Sequence, residues 1–300
     1  MEFIEITKKS QTEPSSHTLV IGCFYIFHKG KQHVLETANQ LIKGTQEKLV
    51  VIDLSLFLTA QLVTPEKTMH QLLKQYDVNT YGQLFPEEGK TMENTIADVL
   101  AELTISHIVI DQELIDNGTI SNDLLQKFKQ MTTQVKIVSG VKINEQTVTD
   151  EMIYDLITNG RVEQVQGLLN HPYTVVGKVV HGEKLGRQLG FPTLNLAGVE
   201  QYVMPKPGVY FGTVGIHKDH VITDYYNVLI SAGYRPTVNG QGYLIEAHIL
   251  NYAGDLYDRT VSVSFLHFMR EEQDFSDLDA LIKQMEQDKK DAERFISISD

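Results

Sequence analysis

Thr193 and Asn195 stand two residues apart at the end of a stretch that runs Gly177-Lys178-Val179-Val180-His181-Gly182-Glu183-Lys184-Leu185-Gly186-Arg187-Gln188-Leu189-Gly190-Phe191-Pro192. In an extended chain, side chains two positions apart project to the same side. A hydroxyl and an amide oxygen would then face one point, and hard oxygen donors of that kind suit Mg2+ carried by a nucleotide. The same residue types also stabilise ordinary turns. The glycines ahead of the pair, with Arg187 among them, read either as a plain turn or as a loop whose backbone approaches an anion closely, since glycine has no Cβ to hold it off. Further along, alternation over Tyr243–Leu250 puts Ile245, Ala247 and Ile249 on one face and Leu244, Glu246, His248 and Leu250 on the other. Glu246 is then either a solvated outer-face acid or a general base aimed at a substrate hydroxyl.

These residues need elements to hold them, and the periodicity supplies two kinds. After a polar segment over residues 1–16, His17–Phe24 reads as a short buried strand. A helix follows, with Val34, Leu35, Ala38, Leu41 and Ile42 at helical intervals and Gly44 as its stop, and Lys48–Leu54 is a second strand. Strand, helix, strand in this order predicts a right-handed crossover and a parallel sheet. The alternation continues through helices at Pro65–Tyr76, Thr91–Leu103 and Asn122–Met131 and strands at His107–Ile110 and Val135–Val138. Residues 17–148 are therefore expected to form a doubly wound α/β domain of Rossmann type, followed by a helical linker over 149–170. From residue 171 to 300 the period changes to two, with turn signals every ten residues or so. The strands predicted there, at Tyr173–Val180, Gly208–His217, Val221–Ile230, Gly242–Leu250 and Thr260–Phe268, make a small all-β barrel of five or six strands. One amphipathic helix ends the chain, with Ser276 as its expected N-cap and Leu278, Leu281, Ile282, Met285, Ala292 and Phe295 along one stripe.

Composition narrows the partners. The 300 residues carry 26 Lys and Arg against 39 Asp and Glu, a formal net charge of −13. That balance repels a phosphate backbone and sets nucleic acid aside. The first residues lack a signal-peptide profile, and no apolar run reaches the ~18 residues of a membrane span. A single cysteine, Cys23, excludes an intramolecular disulfide and is expected to be a small buried hydrophobe. The expectation is a soluble, cytoplasmic protein acting on small molecules; the sequence sets no oligomeric state.

From about His171 onward the chain resembles the riboflavin kinase module of the bacterial bifunctional riboflavin kinase/FMN adenylyltransferases. The resemblance rests on blocks in the family's order: Gly177-Lys-Val-Val-His-Gly182, Gly186-Arg-Gln-Leu-Gly-Phe-Pro-Thr193-Leu-Asn195-Leu, Pro207-Gly-Val-Tyr210, Gly233-Tyr-Arg-Pro-Thr237, Glu246-Ala-His-Ile-Leu250, Gly254-Asp-Leu-Tyr257 and Met269-Arg-Glu-Glu-Gln-Asp-Phe275. It implies ATP- and Mg2+-dependent phosphorylation of the riboflavin 5′-hydroxyl to FMN on a six-stranded barrel. By that resemblance Thr193 and Asn195 hold Mg2+ and the terminal phosphates, and Gly182, Lys184 and Gly186 line the ATP phosphate loop. Glu246 accepts the hydroxyl proton, and Arg270 stands near the flavin. Two departures, Ser231-Ala232-Gly233 for Asn-Ile-Gly and Leu194 for Ala, touch neither the Mg2+ pair nor the base.

The first half resembles the family's adenylyltransferase module in outline only. Its Gly-x-Phe-Asp-Gly-x-His-x-Gly-His signature reads Gly22-Cys23-Phe24-Tyr25-Ile26-Phe27-His28-Lys29-Gly30-Lys31 here, with a bulky pair replacing Asp-Gly and a lysine replacing the second histidine. The Pro-His-Pro, Gly-x-Asp-Phe-x-Phe-Gly and Ser-Ser-Thr-x-Ile-Arg blocks fall on Asp53-Leu-Ser-Leu56, Ile110-Asp-Gln-Glu-Leu-Ile-Asp116 and Thr149-Asp-Glu-Met-Ile-Tyr154. His28 and Lys31 thus mark a degenerate site, and His33 cannot replace the lost histidine because a helix turns about 200° over two residues. The expected protein is a riboflavin kinase whose adenylyltransferase half is inactive. The alternatives are a bifunctional enzyme in which Lys31 substitutes for histidine, and a non-catalytic flavin-binding sensor.

Overall fold

In a computed structural model, which describes residues 2–5, 16–58, 60–101, 103–132, 134–182, 186, 189–218, 221–237 and 240–299, the chain divides into two compact units, Met1–Asp150 and Glu151–Asp300. The first is built on six parallel strands: β1 (Glu2–Glu5), β2 (His17–Gly22), β3 (Lys48–Asp53), β4 (Thr80–Gln83), β5 (Ile105–Asp111) and β6 (Gln134–Val138), in the order β1-β4-β3-β2-β5-β6. Helices α1 (Lys29–Ile42), α2 (Glu66–Gln75), α3 (Met92–Leu100), α4 (Gln112–Asp116) and α5 (Asn122–Met131) connect them. The central strands are apolar at successive positions because both faces are covered. Leu19, Ile21, Val50 and Ile52 enter one core, and Val20, Leu49 and Val51 enter the other. β1 lies within the segment read from sequence as merely polar; it pairs in parallel with β4, from Glu2 opposite Thr80 to Glu5 opposite Gln83.

A two-residue hairpin, β7 (Lys142–Ile143) with β8 (Gln146–Thr147), precedes α6 (Asp150–Thr158) and α7 (Val162–Leu169). The residues expected to be a linker are thus largely helical, and α7 packs on the barrel strands β14 and β9 of the second unit. That barrel closes from β9 (Tyr173–Val180), β10 (Leu194–Ala197), β11 (Gly208–Lys218), β12 (Val221–Thr237), β13 (Gly240–Ile249) and β14 (Thr260–Arg270), in the order β10-β13-β12-β11-β14-β9. All its pairings are antiparallel. Alternation works as read: Ile245, Ala247 and Ile249 are buried inside, and Leu244, Glu246 and His248 stand on the outer face, partly exposed.

The last helix, α8 (Leu278–Ser299), lies on the outside of the barrel. Its cap is Asp277, one residue after the expected Ser276. The Ala280 N–H donates to Asp277 Oδ1 at 2.8 Å, and the Ser276 hydroxyl is turned onto the same carboxylate at 2.9 Å. A carboxylate outranks a hydroxyl here because it also meets the positive end of the helix dipole. Leu278 departs from the expected stripe and is exposed, whereas Ala292 is fully buried against Phe211, Leu229 and Leu250, with Phe295 stacked on Phe211 at 5.4 Å. No helix among the described residues is long and apolar enough to cross a membrane. Docking of α8 depends on the small size of Ala292: Ala292→Leu is expected to lower stability by about 1–3 kcal/mol through overpacking, read as a lower urea midpoint. An unchanged midpoint would show that the helix rests loosely on the barrel.

Candidate functional site

Barrel register brings the residues singled out in the second half onto one line. Reading across the strands, Val180 lies opposite Asn195, Asn195 opposite Glu246, Glu246 opposite Ser231, Ser231 opposite Val209, and Val209 opposite Arg270. Directly opposed residues project to one face, and all six line a cavity of about 740 Å³ on the outside of the barrel. His181, Gly182, Gly186, Phe191 and Thr193 wall it on one side, and Gln273, Phe275, Leu281, Met285 and Asp288 on the other. Glu246 stands between, beside Asn195 and Ser231.

The glycines of the loop make close contact with the site's own groups. A Cβ on Gly182 would lie 2.4 Å from Asn195 Nδ2, and one on Gly186 would lie 2.4 Å from the Phe191 carbonyl oxygen and 3.5 Å from Thr193 Oγ1. The space a side chain would fill is already occupied by the Asn195 amide and the backbone before Thr193. Phe191 N–H donates back to the Gly186 carbonyl at 2.8 Å, which closes the loop on itself. Lys184 and Arg187 lie outside the described residues.

Arg270 lines the cavity, but its charge is engaged. Nε and Nη2 donate to the two carboxylate oxygens of Asp288 at 2.9 and 2.7 Å, and Nη1 donates to the Glu271 carbonyl at 3.0 Å. Asp288 is buried and accepts a further bond from Gln284 Nε2 at 2.8 Å. The bidentate fork ties β14 to α8 and makes the helix a fixed wall of the cavity. Periodicity could not pair Arg270 with a residue 18 positions away.

In the first unit His28 and Lys31 lie in a buried ion cluster. Lys31 is 1% exposed, with its ammonium 3.1 Å from Asp111, 3.0 Å from Glu113 and 3.4 Å from Asp150. Burial opposes its charge, yet the carboxylates of Asp150, Asp111 and Glu113 hold its pKa well above the usual lysine range. Burial likewise works against the Glu113 carboxylate, but His28 and Lys31 hold it down at about 2. Asp53, by contrast, is structural: it accepts from Tyr81 Oη, Ser55 Oγ and the Phe24 N–H. Cys23 is buried as expected, and burial pushes its thiol up to about 12.

His28, Glu113 and Asp150 approach one another as a metal-binding triad would. The protonation of the imidazole argues against that use. His28 Nδ1 accepts the Gly30 N–H at 2.9 Å, so the ring proton sits on Nε2, the atom facing Asp150 at 3.1 Å and Glu113 at 3.6 Å. A nitrogen that carries the ring proton has no lone pair with which to ligate a metal. His28 is thus a cap and part of the cluster. Removing the central cation should be severe: Lys31→Met leaves three carboxylates facing one another in a largely buried site, and a loss of about 3–5 kcal/mol is expected in chemical denaturation. A variant as stable as the wild type would show that the carboxylates take up protons at no cost.

A family model described as "Flavokinase: Riboflavin kinase" matches residues 169–296. A protein of Listeria monocytogenes named bifunctional riboflavin kinase/FMN adenylyltransferase is 28% identical over 294 residues, covering 93% of this chain and 92% of its own. A protein of the same name from Haemophilus influenzae is 33% identical over 218 residues, covering 68% of this chain and 69% of its own. Among solved structures, one titled macrolide-efflux protein from Streptococcus pneumoniae superposes with a TM-score of 0.78 at 25% identity, over 96% of this chain and 97% of that one. With a riboflavin kinase domain on the barrel and full-length likeness to such proteins, the chain belongs to the bifunctional riboflavin kinase/FMN adenylyltransferase family.

Proposed function

We propose that the barrel unit transfers the γ-phosphoryl group of ATP to the 5′-hydroxyl of riboflavin, giving FMN and ADP, and that the first unit carries out no adenylyl transfer. The observation that carries the first half is the row Asn195–Glu246–Ser231 in the middle of one cavity, with a glycine-bearing loop on one side and an apolar wall on the other. The loop side suits a nucleotide's phosphates. Phe275, Leu281 and Met285 on the far side suit a flat apolar ring. The two reactants then meet at Glu246.

In that arrangement Glu246 accepts the proton of the 5′-hydroxyl as its oxygen bonds to the γ-phosphorus and the bond from phosphorus to the bridging oxygen of ADP breaks. Such catalysis is mostly positioning and charge neutralisation. Thr193, Asn195 and Glu246 offer oxygen donors around one part of the cavity, a set that fits a hard divalent cation such as Mg2+. Thr193 and Asn195 would hold it, and when bound it neutralises charge on the phosphoryl oxygens. Gly182 keeps the Asn195 amide in place, and Arg270 acts here through Asp288 by holding α8 as the flavin-side wall. ATP as co-substrate assigns the reaction to the cytoplasm.

Loss of the second activity follows from the cluster around Lys31. A cation with three carboxylates within 3.4 Å has no charge to spare for a triphosphate, and the surplus of acid around it repels one. The bifunctional alternative requires Lys31 to be available, and its ion pairs disfavour that.

The test is Glu246→Gln, which keeps the shape of the side chain and removes the base. With riboflavin, ATP and Mg2+, kcat should fall about 100- to 10,000-fold while riboflavin still binds. Turnover at the wild-type rate would take Glu246 out of the reaction and with it the proposed centre.

A further inference from the structure

We infer that His248 is a positioning residue for the phosphate side of the site, acting through the backbone that carries Thr193; the inference rests on the kinase reading above. β10 pairs with β13 at two positions only, Leu194 opposite Ala247 and Asn195 opposite Glu246. The next step of that ladder would set Thr193 opposite His248, but the ladder stops there. Pro192, one residue earlier, has no N–H with which to continue it. The His248 side chain takes over from the missing backbone rungs: Nδ1 donates to the Pro192 carbonyl at 2.8 Å. The ring also meets Phe191 edge-on, centroids 5.4 Å apart at 62°.

His248 is two residues after Glu246 on the same outer face, and both line the cavity. One side chain therefore ties the segment holding Thr193 to the strand holding the proposed base. Among the described residues of the segment from Gly186 to Thr193, Leu189 N–H and Phe191 N–H bond internally to the Gly186 carbonyl, whereas the His248 bond runs to another strand. The bond needs a proton on Nδ1 only, so the neutral imidazole suffices; burial, which keeps the ring's pKa below the ordinary histidine range, is consistent with this. A shift of about 1 Å in a positioning group costs a site on the order of 100-fold.

Two variants separate the hydrogen bond from the ring. His248→Asn places an amide N–H near the position of Nδ1 and removes the ring; His248→Phe keeps a ring against Phe191 and removes the donor. Binding of ATP with Mg2+ is measured by titration calorimetry, and kcat and KM are measured for both substrates. His248→Phe is expected to lose about 10- to 100-fold in kcat/KM for ATP, with weaker ATP binding and a riboflavin dissociation constant within about twofold of wild type. His248→Asn should recover most of the loss. Loss confined to His248→Asn would assign the ring's packing instead, and equal loss or equal retention in both variants would also overturn the inference. If wild-type protein binds ATP with Mg2+ yet makes no FMN, the kinase reading fails, and the binding constants of the two variants still decide the role of His248.

Discussion

Closing six antiparallel strands into a barrel leaves little freedom in which residue faces which, because a one-residue slip would turn every inward side chain outward. That register is the constraint on which the second unit depends. Ile245 and Ala247 must be inside, so Glu246 must be outside, and its neighbours across the strands are then fixed as Asn195 and Ser231. Polar groups from two consecutive strands and from the remote β10 meet with no side chain reaching far. The walls are added afterwards by different forces: a loop closed on the Gly186 carbonyl on one side, and on the other a helix held by Ala292 in the apolar groove and by the Arg270–Asp288 fork.

The first unit shows the same chain applying the opposite electrostatic logic. A nucleotide site needs cationic groups with charge available to a phosphate. Here the lysine at the position of the signature's second histidine is buried under three carboxylates, and the histidine that survives caps a helix with one nitrogen and faces Asp150 with the other. Breaking such a cluster is costly even where its net contribution to stability is small. These charged groups are engaged with one another, on a parallel sheet with an apolar core on each face.

Much of this was legible in the sequence, and the parts that were not share a cause. The α/β alternation, the change to period two and the outward face of Glu246 follow from local patterns. β1, β4 and β10 were missed because each has four residues, too few for alternation to register, and each exists through pairing with neighbouring strands that its own residues do not announce. Gly182 and Gly186 read as a plain turn or as an approach to an anion, and no local pattern shows that they approach Asn195 and Phe191. The acids at positions 111, 113 and 150 were visible as an excess. Their convergence on Lys31, and that of Asp288 on Arg270, are long-range contacts that no local spacing encodes.

The central claim is that one unit of the chain performs chemistry and the other has given it up. The direct measurement is chromatographic separation of flavins after incubating the full-length protein with ATP and Mg2+, in one reaction starting from riboflavin and in another from FMN. FMN should accumulate from riboflavin, and FMN offered as substrate should remain FMN. Formation of FAD in either reaction would contradict the account of the first unit, and absence of FMN from the riboflavin reaction would contradict that of the second.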